Sequence, residues 1–181
     1  MDTPSNLQKD KTMRDRVGYY ISEIIYGAND GIITTFAVVA GSAGAGLDSR
    51  VILILGISNL LADGFSMGTS KYLALRSEQD YEGTKHRVID RSAFADGGVT
   101  FLAFIIVGAL PLIPFLFGVA SEMQFMVSTV ATAISLFIVG SSRVFFTNKS
   151  FFGSGFEMLF VGGFAAAIAY GVGWGVEKFL L

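Results

Sequence analysis

Four polar side chains and one thioether could bind a metal ion within stretches of the sequence that are otherwise apolar enough to enter a lipid bilayer. Glu23 and Asp30 fall in the first of these stretches, and Asn59, Asp63 and Met67 fall in the second. An ionised carboxylate near the middle of a membrane span costs roughly 2.5–3.5 kcal/mol, whereas each large apolar residue returns only roughly 0.3–0.6 kcal/mol. Because acids at such positions usually face a polar cavity, they indicate a path for an ion or a proton.

Helical spacing places these residues on two faces that can meet. Glu23 and Asp30 are two helical turns apart, which is about 10.5 Å along a helix axis. The second stretch carries a polar stripe at intervals of four residues: Asn59, Asp63, Met67 and Lys71. Carboxylates combined with an amide and a thioether suit a divalent transition metal such as Fe²⁺ or Mn²⁺. The sequence therefore predicts a metal site between the two faces.

Less specific interpretations of the same residues stay open. Asp30 and Asp63 can instead pair with Lys71 or lie buried in neutral form, and Met67 can simply pack in a core or face lipid. Gly31 can bring either an ion or a second helix close to the chain. Asp96 belongs to a third Asp-Gly pair and lies near the predicted start of a helix, where an acid ordinarily caps the backbone or complements the helix dipole.

The elements that position these residues are five stretches of about 20 or more mostly apolar residues, the length that a membrane-spanning helix needs. They run approximately over 17–43, 51–75, 92–117, 124–146 and 156–178. The composition agrees, because 52% of the residues are hydrophobic and 15% are charged, whereas soluble proteins have about 25% charged residues. We predict an all-α membrane protein with a polar arm, 1–16, and a five-helix transmembrane domain, 17–181.

The distribution of Lys and Arg predicts the orientation of these spans, since cytoplasmic loops carry an excess of both. The N-terminal arm and the second and fourth connections should be cytoplasmic, and the C-terminus should lie on the opposite side. The host would be the inner membrane of a bacterium or an organelle membrane of a eukaryote. The cations that carry this prediction are Lys9, Lys11, Arg14, Arg16, Arg76, Lys85, Arg87, Arg91, Arg143 and Lys149.

Several function classes are excluded or disfavoured by composition. The chain has no Cys, which excludes thiolate chemistry, disulfides and Cys-ligated zinc or iron–sulfur centres. His86 is the single histidine and lies in a charged connection, so an intramembrane hydrolase lacks a base. A net charge of −2 gives no basic footprint for a nucleic acid. We expect no enzyme activity and no resident cofactor.

Three segments resemble the vacuolar iron transporter family: "DGIITTFAVVAG", "LADGFSMGTSKYLA" and "GALPLIPF", in this order. The resemblance extends from about Gly18 to the last span. It implies a five-helix homodimer with a metal path near the two-fold axis, lined by the first helices. It also implies proton-coupled export of Fe²⁺, and often Mn²⁺, from the cytoplasm. By position, the family's metal-path residues fall on Asp30, Met67 and Glu23, while Asn59 and Tyr19 stand where some members carry acids.

The chain departs from the plant-type members of that family between spans two and three. Those members have long Glu-rich helices that collect metal on the cytoplasmic side, whereas this chain has only "RSEQDYEGTKHRVIDR". Its acids, Glu78, Asp80 and Glu82, are interleaved with cations and are interpreted as a solvated loop. A second hypothesis for the whole chain is a non-transporting membrane scaffold or partner subunit whose buried acids serve helix assembly.

Overall fold

A computed structural model describes residues 4–84, 91–145 and 150–180, and it leaves out the side chains of residues 4–17, 19 and 145. Some residues named above therefore lie outside the described part of the chain. They are Lys9, Lys11, Arg14, Arg16 and Tyr19, of which no side chain is described, and Lys85, His86, Arg87 and Lys149.

The described residues form helices and no strands. Five segments are long and apolar enough to cross a membrane, which confirms the predicted all-α, five-span architecture. The third of these segments combines α3, a short 3₁₀ helix and α4. The α-helices are α1 (Pro4–Gly44), α2 (Ser49–Gly83), α3 (Ala93–Gly108), α4 (Ile113–Leu116), α5 (Ser121–Ser142) and α6 (Phe151–Leu180).

The first two helices extend well beyond the apolar stretches from which they were predicted. Helix α1 begins at Pro4, so the polar arm continues into the first span as one helix. Helix α2 has 35 residues, or about 52 Å at 1.5 Å per residue, whereas the hydrocarbon core of a bilayer is about 30 Å thick. Its last turns carry Glu78 and Asp80 on exposed positions, outside the apolar part of the helix.

Two prolines break the third span. Pro111 lies in a 3₁₀ turn, Leu110–Leu112, and Pro114 lies at the start of α4. Each proline removes a backbone donor and clashes with the preceding turn, so the α-helical ladder cannot continue through them. The Ser128 hydroxyl of α5 donates a 2.6 Å hydrogen bond to the buried carbonyl of Pro111. A neighbouring helix thus satisfies the irregular backbone, as a bilayer core requires.

Close glycine contacts define how the helices run relative to one another. Along α1, Gly27 meets the backbone at Thr100 and Gly31 meets it at Phe104, so α1 and α3 advance together and are parallel. Along α2, Gly68 meets Gly97, whereas Gly56, earlier in the helix, meets Leu112, later in the third span. Helix α2 is therefore antiparallel to both. Which end of this bundle faces the cytoplasm stays a prediction from the cation distribution.

Candidate metal path

An open cavity of about 490 Å³ lies between α1 and α2. It contains three of the five predicted metal ligands, Asp30 from α1 and Asp63 and Met67 from α2. These residues come together because the polar stripe of α2 faces the side of α1 that carries Asp30. The full lining is Tyr26, Asp30, Asp63, Ser66, Met67, Ser70, Lys71 and Ala74.

Asp30 is half-buried at the wall of this cavity. No hydrogen bond or ion pair from the side chains that the structure describes reaches its carboxylate. Its backbone carbonyl accepts a 2.8 Å hydrogen bond from the Thr34 hydroxyl. The alternative in which Asp30 pairs with Lys71 is not observed, and the Lys71 ammonium contacts Glu23.

Asp63 is held by a neighbour on its own helix. The Asn59 side-chain amide donates a 2.8 Å hydrogen bond to Asp63 Oδ2. Asn59 itself does not line the cavity and lies behind Asp63, whose carboxylate it orients, so a part for Asn59 in metal binding stays a prediction. The bond leaves Asp63 Oδ1 and part of the Oδ2 lone-pair capacity for another partner.

Met67 has two environments. Its side chain lines the cavity, and it also packs against the apolar cluster that contains Phe36 and Phe104. The packing interpretation and the ligand interpretation therefore describe two sides of one side chain. Gly31, by contrast, faces α3 rather than the cavity, and a Cβ added there would lie 2.5 Å from the Phe104 carbonyl oxygen. This glycine serves a helix crossing.

Glu23 lies beyond one end of the cavity, on the same side of α1 as Asp30. Its Oε1 is 2.8 Å from the Lys71 ammonium, and its Oε2 is 3.2 Å from the Thr100 hydroxyl of α3. The residue is only 4% exposed. The sequence analysis did not predict this pairing, although an antiparallel arrangement of α1 and α2 would indicate it. If Asp30 lies opposite Asp63, a residue seven positions earlier on α1 must lie opposite the neighbourhood of Lys71.

Asp96 is not the N-cap of α3, but it has the first-turn position at which an acid complements the helix dipole. The N-cap is Ser92, whose hydroxyl accepts from the Ala95 amide at 3.2 Å, and Asp96 lies in the first turn with 1% of its surface exposed. Its Oδ2 forms a 2.9 Å ion pair with Arg91, and its buried Oδ1 has no hydrogen-bond partner among the residues that the structure describes. The Thr100 hydroxyl, 2.9 Å from the Asp96 carbonyl, links this pair to Glu23. A buried polar network thus adjoins the cavity.

The donor set of the cavity suits a weakly held cation. Within the described ranges, no three Asp, Glu or His side chains converge closely enough to hold a metal by themselves. What the cavity offers is two carboxylates, one thioether and the hydroxyls of Ser66 and Ser70. Oxygen donors with one soft sulfur match a divalent first-row metal that keeps part of its water shell.

The chain matches the model of a known protein family. The family model described as the VIT family matches residues 21–93 and 82–174, which together span most of the chain. The two matched segments meet and overlap at the connection between α2 and α3. This is the connection at which the sequence was found to lack the long Glu-rich segment of plant-type members.

Individual proteins that are similar to this chain agree with the family match. A vacuolar iron transporter of Toxoplasma gondii is 28% identical over an alignment of 221 residues, covering 85% of this chain and 73% of the relative. Vacuolar iron transporter 1 of Eucalyptus grandis is 23% identical, with 95% and 92% covered. A vacuolar iron transporter of Plasmodium falciparum is 43% identical over 61 residues, covering 34% of this chain and 22% of the relative.

The first of these alignments is longer than the chain itself, which has 181 residues, so the Toxoplasma relative carries residues that have no counterpart here. The matched region nevertheless includes all five spans in large part, and with them Glu23, Asp30, Asp63 and Met67. With five membrane-spanning helices and a family match over most of its length, this integral membrane protein belongs to the VIT family.

Proposed function

We propose that this protein transports Fe²⁺, Mn²⁺ or both out of the cytoplasm, through the cavity between α1 and α2. The observation that carries the proposal is the position of Asp30. Its carboxylate lies in a membrane-spanning helix, faces an open cavity shared with Asp63 and Met67, and has no bond to the described part of the chain. A divalent cation would compensate these two acids, which lipid would otherwise penalise.

The relatives' names support the choice of cargo. The proteins from Toxoplasma, Eucalyptus and Plasmodium are all called vacuolar iron transporters. Mn²⁺ resembles Fe²⁺ in charge and ligand preference, and oxygen-rich sites with little sulfur separate the two poorly. By the same names, the host membrane in a eukaryotic cell would be that of a vacuole-type organelle.

The path runs from the Glu23 end of the cavity towards Asp30 and Asp63. Glu23 lies nearer the N-terminus of α1, the end that the cation distribution assigns to the cytoplasm. Metal would therefore enter past Glu23 and be bound by Asp30 and Met67, with Asp63 close by and oriented by Asn59. Glu78, Asp80 and Glu82 are too few and too interleaved with cations to replace a dedicated metal-collecting segment.

Proton antiport follows from competition for the same oxygens. A metal binds the deprotonated carboxylate, so binding releases protons and protonation releases metal. Protons entering from the opposite side would then discharge the cation and reload Asp30 and Asp63 for the next cycle. The proposal treats the acids as both metal ligands and proton carriers and requires no resident cofactor.

A homodimer would complete the path. The cavity is open, and its rim includes Tyr26, which is 57% exposed, together with the exposed Ser66, Ser70 and Ala74. Two acids and two serines would otherwise face lipid, where polar groups are costly. A second copy that places its own α1 and α2 against the first would enclose the acids and the water that a passing ion needs.

Under the scaffold hypothesis, the buried acids would hold helices together instead of binding a transported ion. If they served helix assembly, each would be tied to another helix, as Glu23 is to α2 through Lys71 and to α3 through Thr100. Asp30 has no such tie within the described ranges, which favours transport. The short connections also offer little surface for a partner protein.

A flux measurement separates these two functions. The purified protein is reconstituted in vesicles loaded with a metal-sensitive dye, and Fe²⁺, Mn²⁺, Co²⁺ and Zn²⁺ are added with and without an imposed pH gradient. The proposal predicts protein-dependent entry of Fe²⁺ or Mn²⁺ that accelerates when the metal-receiving side is acidic. A scaffold gives the same signal as protein-free vesicles for every metal. Metal entry that ignores the pH gradient contradicts the antiport mechanism alone.

A further inference from the structure

A positively charged side chain lies in the proposed metal path. Lys71 lines the same cavity as Asp30 and Asp63, one helical turn beyond Met67. Its ammonium is 2.8 Å from Glu23 Oε1, and 30% of its side chain is exposed. An ammonium repels a divalent cation at such short range, so its presence among the metal-binding acids requires an explanation.

The two residues that contact Glu23 differ in the flexibility of their side chains. Thr100, which contacts Oε2, is fully buried and β-branched, and its hydroxyl also lies 2.9 Å from the Asp96 carbonyl. Lys71, which contacts Oε1, has a flexible four-carbon stem and reaches Glu23 from the cavity wall. Glu23 therefore becomes available to a metal only when Lys71 moves away, while Thr100 stays in place.

The charges of the cavity and of Glu23 balance a divalent ion. With all groups ionised, Asp30, Asp63 and Glu23 carry three negative charges and Lys71 carries one positive charge. The remainder is two negative charges, the amount that one divalent cation neutralises. The neighbouring Asp96 is already paired with Arg91 and does not alter this balance.

We propose that Lys71 is a positioning residue for the transported ion, a tethered cation that occupies Glu23 while the path is empty and that the entering metal displaces. The inference rests on the proposed function of the cavity. Lys71 does not touch the metal. It weakens metal binding by competing for Glu23, which prevents the acids from trapping their cargo and speeds its release.

Metal affinity tests the inference directly. Binding of Mn²⁺ to the purified full-length protein in lipid nanodiscs is measured by titration calorimetry for wild type, Lys71→Gln and Lys71→Arg. Lys71→Gln should bind Mn²⁺ about tenfold more tightly, within the usual range of coupling between two bound groups. Lys71→Arg, which keeps the charge, should stay close to wild type. Arg76→Gln removes an exposed cation of the same helix outside the cavity and should change nothing.

Transport kinetics should change in a matching way. In vesicles, Lys71→Gln should lower both the KM for Mn²⁺ and the maximal rate, because tighter binding slows release. A purely structural ion pair would lower the melting temperature of the variant and leave the affinity of the folded fraction unchanged. Unchanged or weaker Mn²⁺ binding by folded Lys71→Gln therefore overturns the inference.

A double variant covers the case in which Lys71→Gln leaves Glu23 buried without its cation and does not fold. In Glu23→Gln, Lys71 is released towards Asp30 and Asp63 and should weaken Mn²⁺ binding. Glu23→Gln/Lys71→Gln removes both charges and should bind more tightly than Glu23→Gln. Equal or weaker binding by the double variant contradicts a competing role for Lys71.

Different results would contradict the proposed transport function and the proposed role of Lys71. If the wild-type protein neither binds nor transports Mn²⁺ or Fe²⁺, the proposed function fails. If the wild type binds and transports the metal while removal of Lys71 brings no gain in affinity, only the role of Lys71 fails.

Discussion

At the scale of single residues, the orientation of Asp63 depends on one amide. Asn59 donates to Asp63 Oδ2 at 2.8 Å and lies outside the cavity lining. Residues that hold a metal-binding group in place typically contribute ten- to a hundredfold to metal affinity or activity. Asn59 should therefore act through Asp63 rather than through direct contact with the ion.

Replacement of Asn59 tests this role. Asn59→Ala should raise the KM for Mn²⁺ roughly tenfold in vesicles, because Asp63 loses the bond that fixes its carboxylate. Ser58→Ala, on an exposed position of the same helix, is the matched control and should transport as wild type does. A wild-type KM for Asn59→Ala would show that Asp63 needs no support or takes no part.

Helical spacing was sufficient to predict part of the candidate site. The intervals of four residues on α2 correctly placed Asp63 and Met67 on one face, and that face meets Asp30. Spacing did not predict the pairing of Glu23 with Lys71, because the register between two helices depends on their packing and not on either sequence alone. Whether these residues bind metal stays a prediction.

At the scale of the elements, the part of α1 around Asp30 lies between α2 and α3. Gly27 and Gly31 face α3, where the backbones come into direct contact, and Asp30 between them faces α2 and the cavity. Packing of small residues is what drives helix association in lipid. The same glycines that fix α1 against α3 therefore set the direction in which Asp30 points.

A methyl group at Gly31 should disturb this crossing. The Cβ of Gly31→Ala would lie 2.5 Å from the Phe104 carbonyl oxygen and 3.1 Å from its Cα, and backbone atoms cannot move aside as a side chain can. We expect a loss of roughly 1–3 kcal/mol of stability, the usual cost of overpacking. The thermal midpoint in detergent should fall measurably. Gly98→Ala, which meets nothing within 4 Å, should keep the wild-type midpoint. Equal midpoints for both variants would contradict the close crossing.

The number and order of the spans followed from hydropathy, but the helix ends did not. The second apolar stretch was predicted to end near residue 75, and helix α2 continues beyond it to Gly83. Hydropathy reports where a segment is apolar enough for lipid, whereas a helix can continue into water as long as its backbone bonds continue. Pro111 and Pro114 are local signals of a different kind, and the α-helical ladder of the third span ends at them.

At the scale of the whole molecule, the acids of the cavity face an opening rather than a closed core. The proposed dimer predicts that Tyr26, at the rim, lies close to its counterpart in a second copy. The chain has no Cys, so a single introduced thiol reports on one position only.

Crosslinking tests this arrangement. Tyr26→Cys in native membranes should give a dimer band with a short thiol-reactive crosslinker, because the rims of the two cavities meet. Phe164→Cys, on α6 and 63% exposed, should face lipid and stay monomeric under the same conditions. A dimer band for Phe164→Cys alone would place the interface elsewhere, and no band for either variant would contradict the enclosed path.

The most direct test of the account is metal flux through the Asp30→Asn variant. The substitution keeps the shape of the side chain and removes its charge, so the reconstituted variant should move Mn²⁺ and Fe²⁺ no faster than protein-free vesicles. Asp80→Asn, which removes an exposed acid at the far end of α2, should transport at the wild-type rate. Wild-type flux through Asp30→Asn would contradict the claim that this carboxylate carries the ion across the membrane.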